Sequence, residues 1–96
     1  MPMQPKKYYL VCYDIEETKR RNKVAKKLKD YGVRVQKSIF EAYLDKDSLD
    51  QMVEVITPFV LEQDSLRIYS LNKSAFQQTL VYGQSFYYDP EEDVII

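Results

Sequence analysis

The chain has 96 residues, with two Gly and four Pro, which fits one compact domain and leaves little room for flexible linkers. It has no histidine, which excludes Ser-His-Asp and Cys-His nucleophile systems and His-based zinc sites. The net charge of −1 hides a dipole: residues 1–40 carry eleven Lys/Arg against four Asp/Glu, and residues 41–96 carry three against eleven.

The first residues, Met1-Pro2-Met3-Gln4-Pro5-Lys6-Lys7, lack the order of charge, apolar run and small-residue cleavage site of a signal peptide. No apolar stretch approaches the roughly 20 residues of a membrane helix. A single cysteine, Cys12, makes no intrachain disulfide, and a cytoplasmic location with no membrane partner is expected. Residues 8–15, Tyr-Tyr-Leu-Val-Cys-Tyr-Asp-Ile, read as a strand with two apolar faces. Tyr9, Val11 and Tyr13 share one face, and Tyr8, Leu10 and Cys12 the other. Asp14 comes where the apolar run ends.

Residues 17–31 read as a helix whose stripe is Val24, Ala25, Leu28 and Tyr31. Lys19, Lys23, Lys26 and Lys27 lie opposite. Arg21 falls on the apolar side, so it must reach past the core or pair with a neighbour, and Asp14 is the nearest strand-end candidate. Gly32 is expected to end the helix in a left-handed conformation. Residues 33–44 are long for one strand and read as a bent or bulged pair, about 33–37 and 38–44, with Phe40, Ala42 and Leu44 on one face.

Residues 48–62 carry a second helical stripe of Leu49, Met52, Val53, Ile56, Phe59 and Val60. Ser48 and Gln51 read as a capping box. Pro58 predicts a kink, or a helix that ends near Thr57 before a short turn. Residues 65–71 are a further strand, and 79–83 a short one. Residues 84–96 form an aromatic, then acidic, then apolar tail, expected to add as a strand to a sheet edge of a second protomer or another protein. The division is a domain over 1–83 and a docking tail over 84–96. The order, strand-helix-strand-strand-helix-strand with a C-terminal extension strand, predicts an α+β ferredoxin-like βαββαβ fold. Its sheet has helices on one face only. The apolar second face of the first strand therefore points to a partner, most simply a homodimer.

Asp14 has two readings. In one, it caps the helix or pairs with Arg21 and takes no part in chemistry. In the other, it holds a divalent cation against a phosphate. One carboxylate is a poor Mg²⁺ site, but a two-fold axis would bring two copies of Asp14 together. The basic helix likewise has two readings, a solvated face or a phosphate track of Lys19, Arg20, Lys23, Lys26 and Lys27. The tyrosines read as core or interface packing before base-stacking platforms.

The chain resembles the CRISPR-associated Cas2 family through pieces in a specific order and spacing. They are Val11-Cys12-Tyr13-Asp14-Ile15, Lys19-Arg20-Arg21-Asn22-Lys23-Val24-Ala25, Tyr31-Gly32, Arg34-Val35-Gln36-Lys37-Ser38-Ile39-Phe40-Glu41 and Asp64-Ser65-Leu66-Arg67-Ile68-Tyr69. The resemblance covers nearly the whole chain. It implies a CRISPR adaptation protein, a homodimer that bridges the spacer integrase and contacts the backbone of prespacer DNA. It also implies Mg²⁺- or Mn²⁺-dependent endonuclease activity on RNA or duplex DNA. By matching positions, the implied site is Asp14 as metal ligand and catalytic residue, with Tyr13, Arg21, Arg34, Ser38 and Phe40. Lys37 stands where an aromatic is common, and Lys23 where some relatives have Arg, which forms bidentate phosphate contacts that Lys does not. A stand-alone, toxin-like metal-dependent ribonuclease is the second reading, and a small-molecule-binding regulatory module the third. The basic helix and the position of Arg21 disfavour the third.

Overall fold

The computed structural model describes residues 4–87. Strand β1 (Lys7–Asp14) is followed by helix α1 (Thr18–Leu28), strands β2 (Gly32–Gln36) and β3 (Ile39–Leu44), helix α2 (Lys46–Ile56), a 3₁₀ turn (Thr57–Phe59), strand β4 (Ser65–Leu71) and a short helix α3 (Lys73–Gln77). The four strands make one antiparallel sheet in the order β2-β3-β1-β4. This is the ferredoxin-like arrangement expected from the element order.

Strand alternation explains the core. Tyr9, Val11 and Tyr13 of β1 and Phe40, Ala42 and Leu44 of β3 are buried on the face that meets Val24, Ala25 and Leu28 of α1 and Met52 and Ile56 of α2. Removing an aliphatic side chain of this size from water is worth roughly 1.5–3 kcal/mol. The cluster therefore fixes register, since a one-residue slip would turn each of these side chains to the other face.

Several local expectations change. Gly32 does not terminate α1; the helix ends at Lys29 with ordinary right-handed geometry, and Gly83 holds the one positive φ among the described residues. Gly32 instead opens β2 where it crosses β3 closely: a Cβ there would meet the Glu41 carbonyl oxygen and lie 3.1 Å from the Ala42 Cβ. The expected capping box gives way to Asp45, whose side chain accepts the Ser48 N–H, so α2 starts two residues earlier than the sequence suggested. At Pro58 the second of the two expected outcomes holds: α2 ends at Ile56, and a 3₁₀ turn continues its apolar stripe through Phe59. Residues 79–83 form no strand.

The second sheet face is not bare. α3 places Phe76 flat on Tyr8, with ring centroids 4.0 Å apart, and Tyr8 stacks in turn on Tyr43 at 4.4 Å. The segment that follows crosses the same face, where Thr79–Ser85 and the sheet residues Leu10, Val35 and Ile39 line a shallow cleft. Leu80 and Tyr82 nonetheless remain 77% and 86% exposed. The corner where the end of β1 meets the start of β4, with Asp14, Arg67 and Tyr69, stays exposed. Of the docking tail expected over 84–96, residues 88–96 lie outside the described part; Tyr87 donates its N–H to the Arg34 carbonyl of β2.

Candidate active site at the end of the central strand

The carboxyl end of β1 gathers three neighbouring pieces: the β1–α1 loop, the β2–β3 turn and the start of β4. Asp14 is the last residue of β1, exposed, and paired in register with Ser65. Alternation puts it on the second sheet face, with Cys12, Leu10 and Tyr8. It does not cap α1, because the N-cap position is Glu17, which makes no side-chain cap. Nor does it form an ion pair with Arg21 among the described residues. The Arg21 guanidinium donates to the Ile15 carbonyl at 3.0 Å and to the Thr18 hydroxyl at 3.0 Å. Arg21 lies on the apolar side of the helix because it ties down the loop that follows Asp14.

Arg20 departs from the phosphate-track expectation. Its guanidinium donates to the Phe59 carbonyl at 2.9 Å and to the Asp64 carboxylate. Asp64 also accepts the Glu16 N–H at 2.9 Å and the Leu61 N–H at 2.8 Å. These donors, the Arg20 guanidinium first, hold the Asp64 carboxyl down at about 2. One carboxylate thus locks the loop after β1 to the turn before β4. Asp64 was not among the site residues read from the sequence. Its partner lies 44 residues away, and no local pattern announces the pair.

Tyr13 and Phe40 point away from Asp14, into the core, at 4% and 0% exposure. The Tyr13 N–H donates to the Ser38 carbonyl at 3.1 Å and its hydroxyl to the Lys37 carbonyl at 3.3 Å. Arg34 donates to that same Lys37 carbonyl from Nε at 3.0 Å and Nη2 at 2.6 Å. Its guanidinium also lies 5.8 Å from the centre of the Phe40 ring and 4.5 Å from that of Tyr87. Tyr13, Arg34, Ser38 and Phe40 are therefore brought together, as supports of the β2–β3 turn beside the end of β1.

Lys19, Lys23 and Lys26 are exposed along α1, and Lys27 leans over the Phe59 ring at 5.5 Å. Lys26 and Lys27 also sit in the last turn of α1, where cations complement the helix dipole, so part of the charge pattern serves the helix itself. For a metal, the described residues contain no cluster of three or more acidic, Cys or His ligands. Asp14 by itself fits a hard cation only when a second carboxylate and phosphate oxygens complete the shell.

The model of the family described as "CRISPR associated protein Cas2" matches residues 7–79, the span from β1 to just past α3. The chain belongs to the Cas2 family. It is 45% identical over 82 residues to the CRISPR-associated endoribonuclease Cas2 3 of Chloroflexus aurantiacus, covering 81% of this chain and 85% of that protein. Its fold superposes on Cas2 of Streptococcus pyogenes with a TM-score of 0.71 at 33% identity, covering 79% and 99% of the two chains. A chain of a partial Cas6-RT-Cas1–Cas2 complex is also similar, with a TM-score of 0.64 at 31% identity over 78% of this chain and 89% of that one. The Cas2-family span ends at residue 79, so Thr79–Ser85 on the second sheet face lie almost entirely outside it. No helix among the described residues is long and apolar enough to cross a membrane.

Proposed function

We propose that this chain acts in CRISPR spacer adaptation as a homodimer that bridges the integrase and binds the backbone of prespacer DNA. Its two Asp14 carboxylates form a divalent-metal site able to cleave phosphodiesters. The observation that carries the reading is the place of Asp14. It is exposed at the end of the central strand, on the sheet face that a second copy would meet, with a braced loop on either side. The similarity to a chain of a Cas1–Cas2 complex supports the integrase partner.

In this arrangement the pair of Asp14 side chains would hold Mg²⁺ or Mn²⁺. Such an ion lowers the pKa of a bound water and polarises a phosphate. The chain's own contribution is positional. Arg21 and the Arg20–Asp64 clasp fix the loop after Asp14, and Tyr13, Arg34 and Ser38 fix the turn beside it. Lys19, Lys23 and Lys26 supply attraction to the phosphate backbone without sequence preference.

A second reading is a metal-dependent ribonuclease acting alone, and the similarity to a CRISPR-associated endoribonuclease supports its ribonuclease part. One experiment separates the two. Spacer acquisition is measured with the cognate integrase for wild type and Asp14→Ala, together with cleavage of RNA and duplex DNA by the purified proteins. The proposal expects Asp14→Ala to lose cleavage while acquisition continues. Undiminished cleavage by Asp14→Ala removes the metal site, and absence of acquisition with the wild type removes the bridge.

A further inference from the structure

The amino end of β1 carries a feature that the Asp14 site does not use. Lys6 and Lys73 flank a cavity of about 350 Å³ whose walls include Tyr8, Tyr43, Asn72 and the Lys7 segment, the Lys7 side chain alternating towards the helix side with Tyr9. Among the described residues, no carboxylate lines it. Lys7 and Asp14 are the first and last residues of the same strand, about 23 Å apart at the rise of an extended chain. The cavity is therefore separate from the candidate metal site.

Its walls are positioned by contacts that need no ligand. Gln4 and Asp47 exchange two hydrogen bonds, at 2.8 Å and 3.4 Å, and so tie the segment before Lys6 to the start of α2. Asn72 accepts the Ala75 N–H at 2.7 Å, which sets the backbone where Lys73 leaves β4. The ring stack of Tyr43, Tyr8 and Phe76 makes a rigid aromatic wall. Tyr43 is 51% exposed, and the Lys6 ammonium lies 5.7 Å from its ring centre. Asp45 is the carboxylate that feels Lys6, and its side chain is already engaged by the Ser48 N–H at the cap of α2.

Lys6 and Lys73 beside an aromatic wall, with no lining acid among the described residues, favour an anion. A phosphate alone would leave most of the cavity and the aromatic wall unused. A flat base against Tyr43, with its phosphate among the lysines, uses both, and every base offers a π-face for such stacking. Lys6, resting on the ring, would then exchange a cation–π contact for a charge-assisted bond to phosphate. We infer that this cavity is a second site, which binds a nucleotide phosphate through Lys6 and Lys73 and stacks its base on Tyr43. The ligand is either a free nucleotide or the phosphorylated end of a strand.

The test follows backbone amide shifts of the isotope-labelled full chain by NMR as AMP, adenosine, inorganic phosphate, and a tetranucleotide with or without a 5′-phosphate are added. AMP is expected to move Lys6, Lys7, Tyr43, Asn72 and Lys73, with adenosine and inorganic phosphate each binding more weakly. A 5′-phosphorylated tetranucleotide that binds more tightly than AMP assigns the site to strand ends; equal binding assigns it to free nucleotides. Replacing Lys6→Glu and Lys73→Glu together should weaken AMP about tenfold, as reversing charges at a complementary contact does. Lys6→Gln with Lys73→Gln repeats the test should the reversal disturb folding. Adenosine or phosphate binding as well as AMP, shifts confined to α1, or unchanged AMP affinity in a folded double variant would each overturn the inference. None of these outcomes depends on Asp14, so the adaptation reading stands or falls separately.

Discussion

Arg20 and Asp64 are 44 residues apart in sequence, yet Asp64 receives the Arg20 guanidinium and two backbone N–H groups from different loops. Its folded-state pKa of about 2 lies below the ordinary value of 3.8. The sign follows directly. A depressed carboxylate contributes stability that is complete above the ordinary value and is lost as the pH falls from about 4 towards 2. The difference in melting temperature between wild type and Asp64→Asn should therefore be constant above about pH 5 and shrink steadily below pH 4. A difference that does not change with pH would show that the clasp works without the charge. Asp14 itself was legible as an exposed strand-end carboxylate, because the apolar run stops there. The break between β2 and β3 was legible at residues 37–38, but neither the clasp nor the convergence of Tyr13 and Arg34 on the Lys37 carbonyl was. Both depend on partners brought in by the fold rather than by spacing along the chain.

Among the elements, those with long apolar periods were legible, and those set by one short-range contact were not. β1, α1 and β4 fall within a residue or two of their expected spans, apart from the end of α1, because each carries a clear alternating or helical stripe into the core. Gly32 was assigned by residue type to a helix end, but it is required by the close passage of β2 over Glu41 and Ala42. Gly32→Ala should therefore lower stability by about 1–3 kcal/mol, the usual cost of forcing extra volume into a packed site. Equilibrium urea unfolding checks this, and a stabilising effect would contradict the close approach. α3 was missed altogether, since five residues carry too little periodicity to register. For α1, reversing Lys26 and Lys27 to Glu should reduce the slope of log affinity against log salt for duplex DNA by about 2, if each contacts one phosphate. Fluorescence anisotropy over a salt series reads that slope, and no change would place the DNA on another surface.

At the scale of the whole molecule, the ferredoxin-like order and the packing of α1 and α2 on one sheet face were legible from the order of elements, while α3 on the other face was not. What covers the second sheet face was not. An apolar strand face says that something packs on it without saying what. Within one chain, Phe76 and the Thr79–Ser85 segment cover part of that face, while Leu80 and Tyr82 remain exposed and the Asp14 corner stays open. Pairing two copies through the open corner would bury Tyr69 and bring both Asp14 carboxylates to one axis, and the exposed apolar segment gives such a dimer further surface to use. The account depends on that pairing more than on any other step, because a lone Asp14 is an incomplete metal site and a single chain bridges nothing. Native mass spectrometry of the full chain, alone and mixed with the integrase, measures it directly. The expected result is a dimer alone, and in the mixture a complex that contains that dimer together with the integrase. A chain that remains monomeric in both samples would contradict the account.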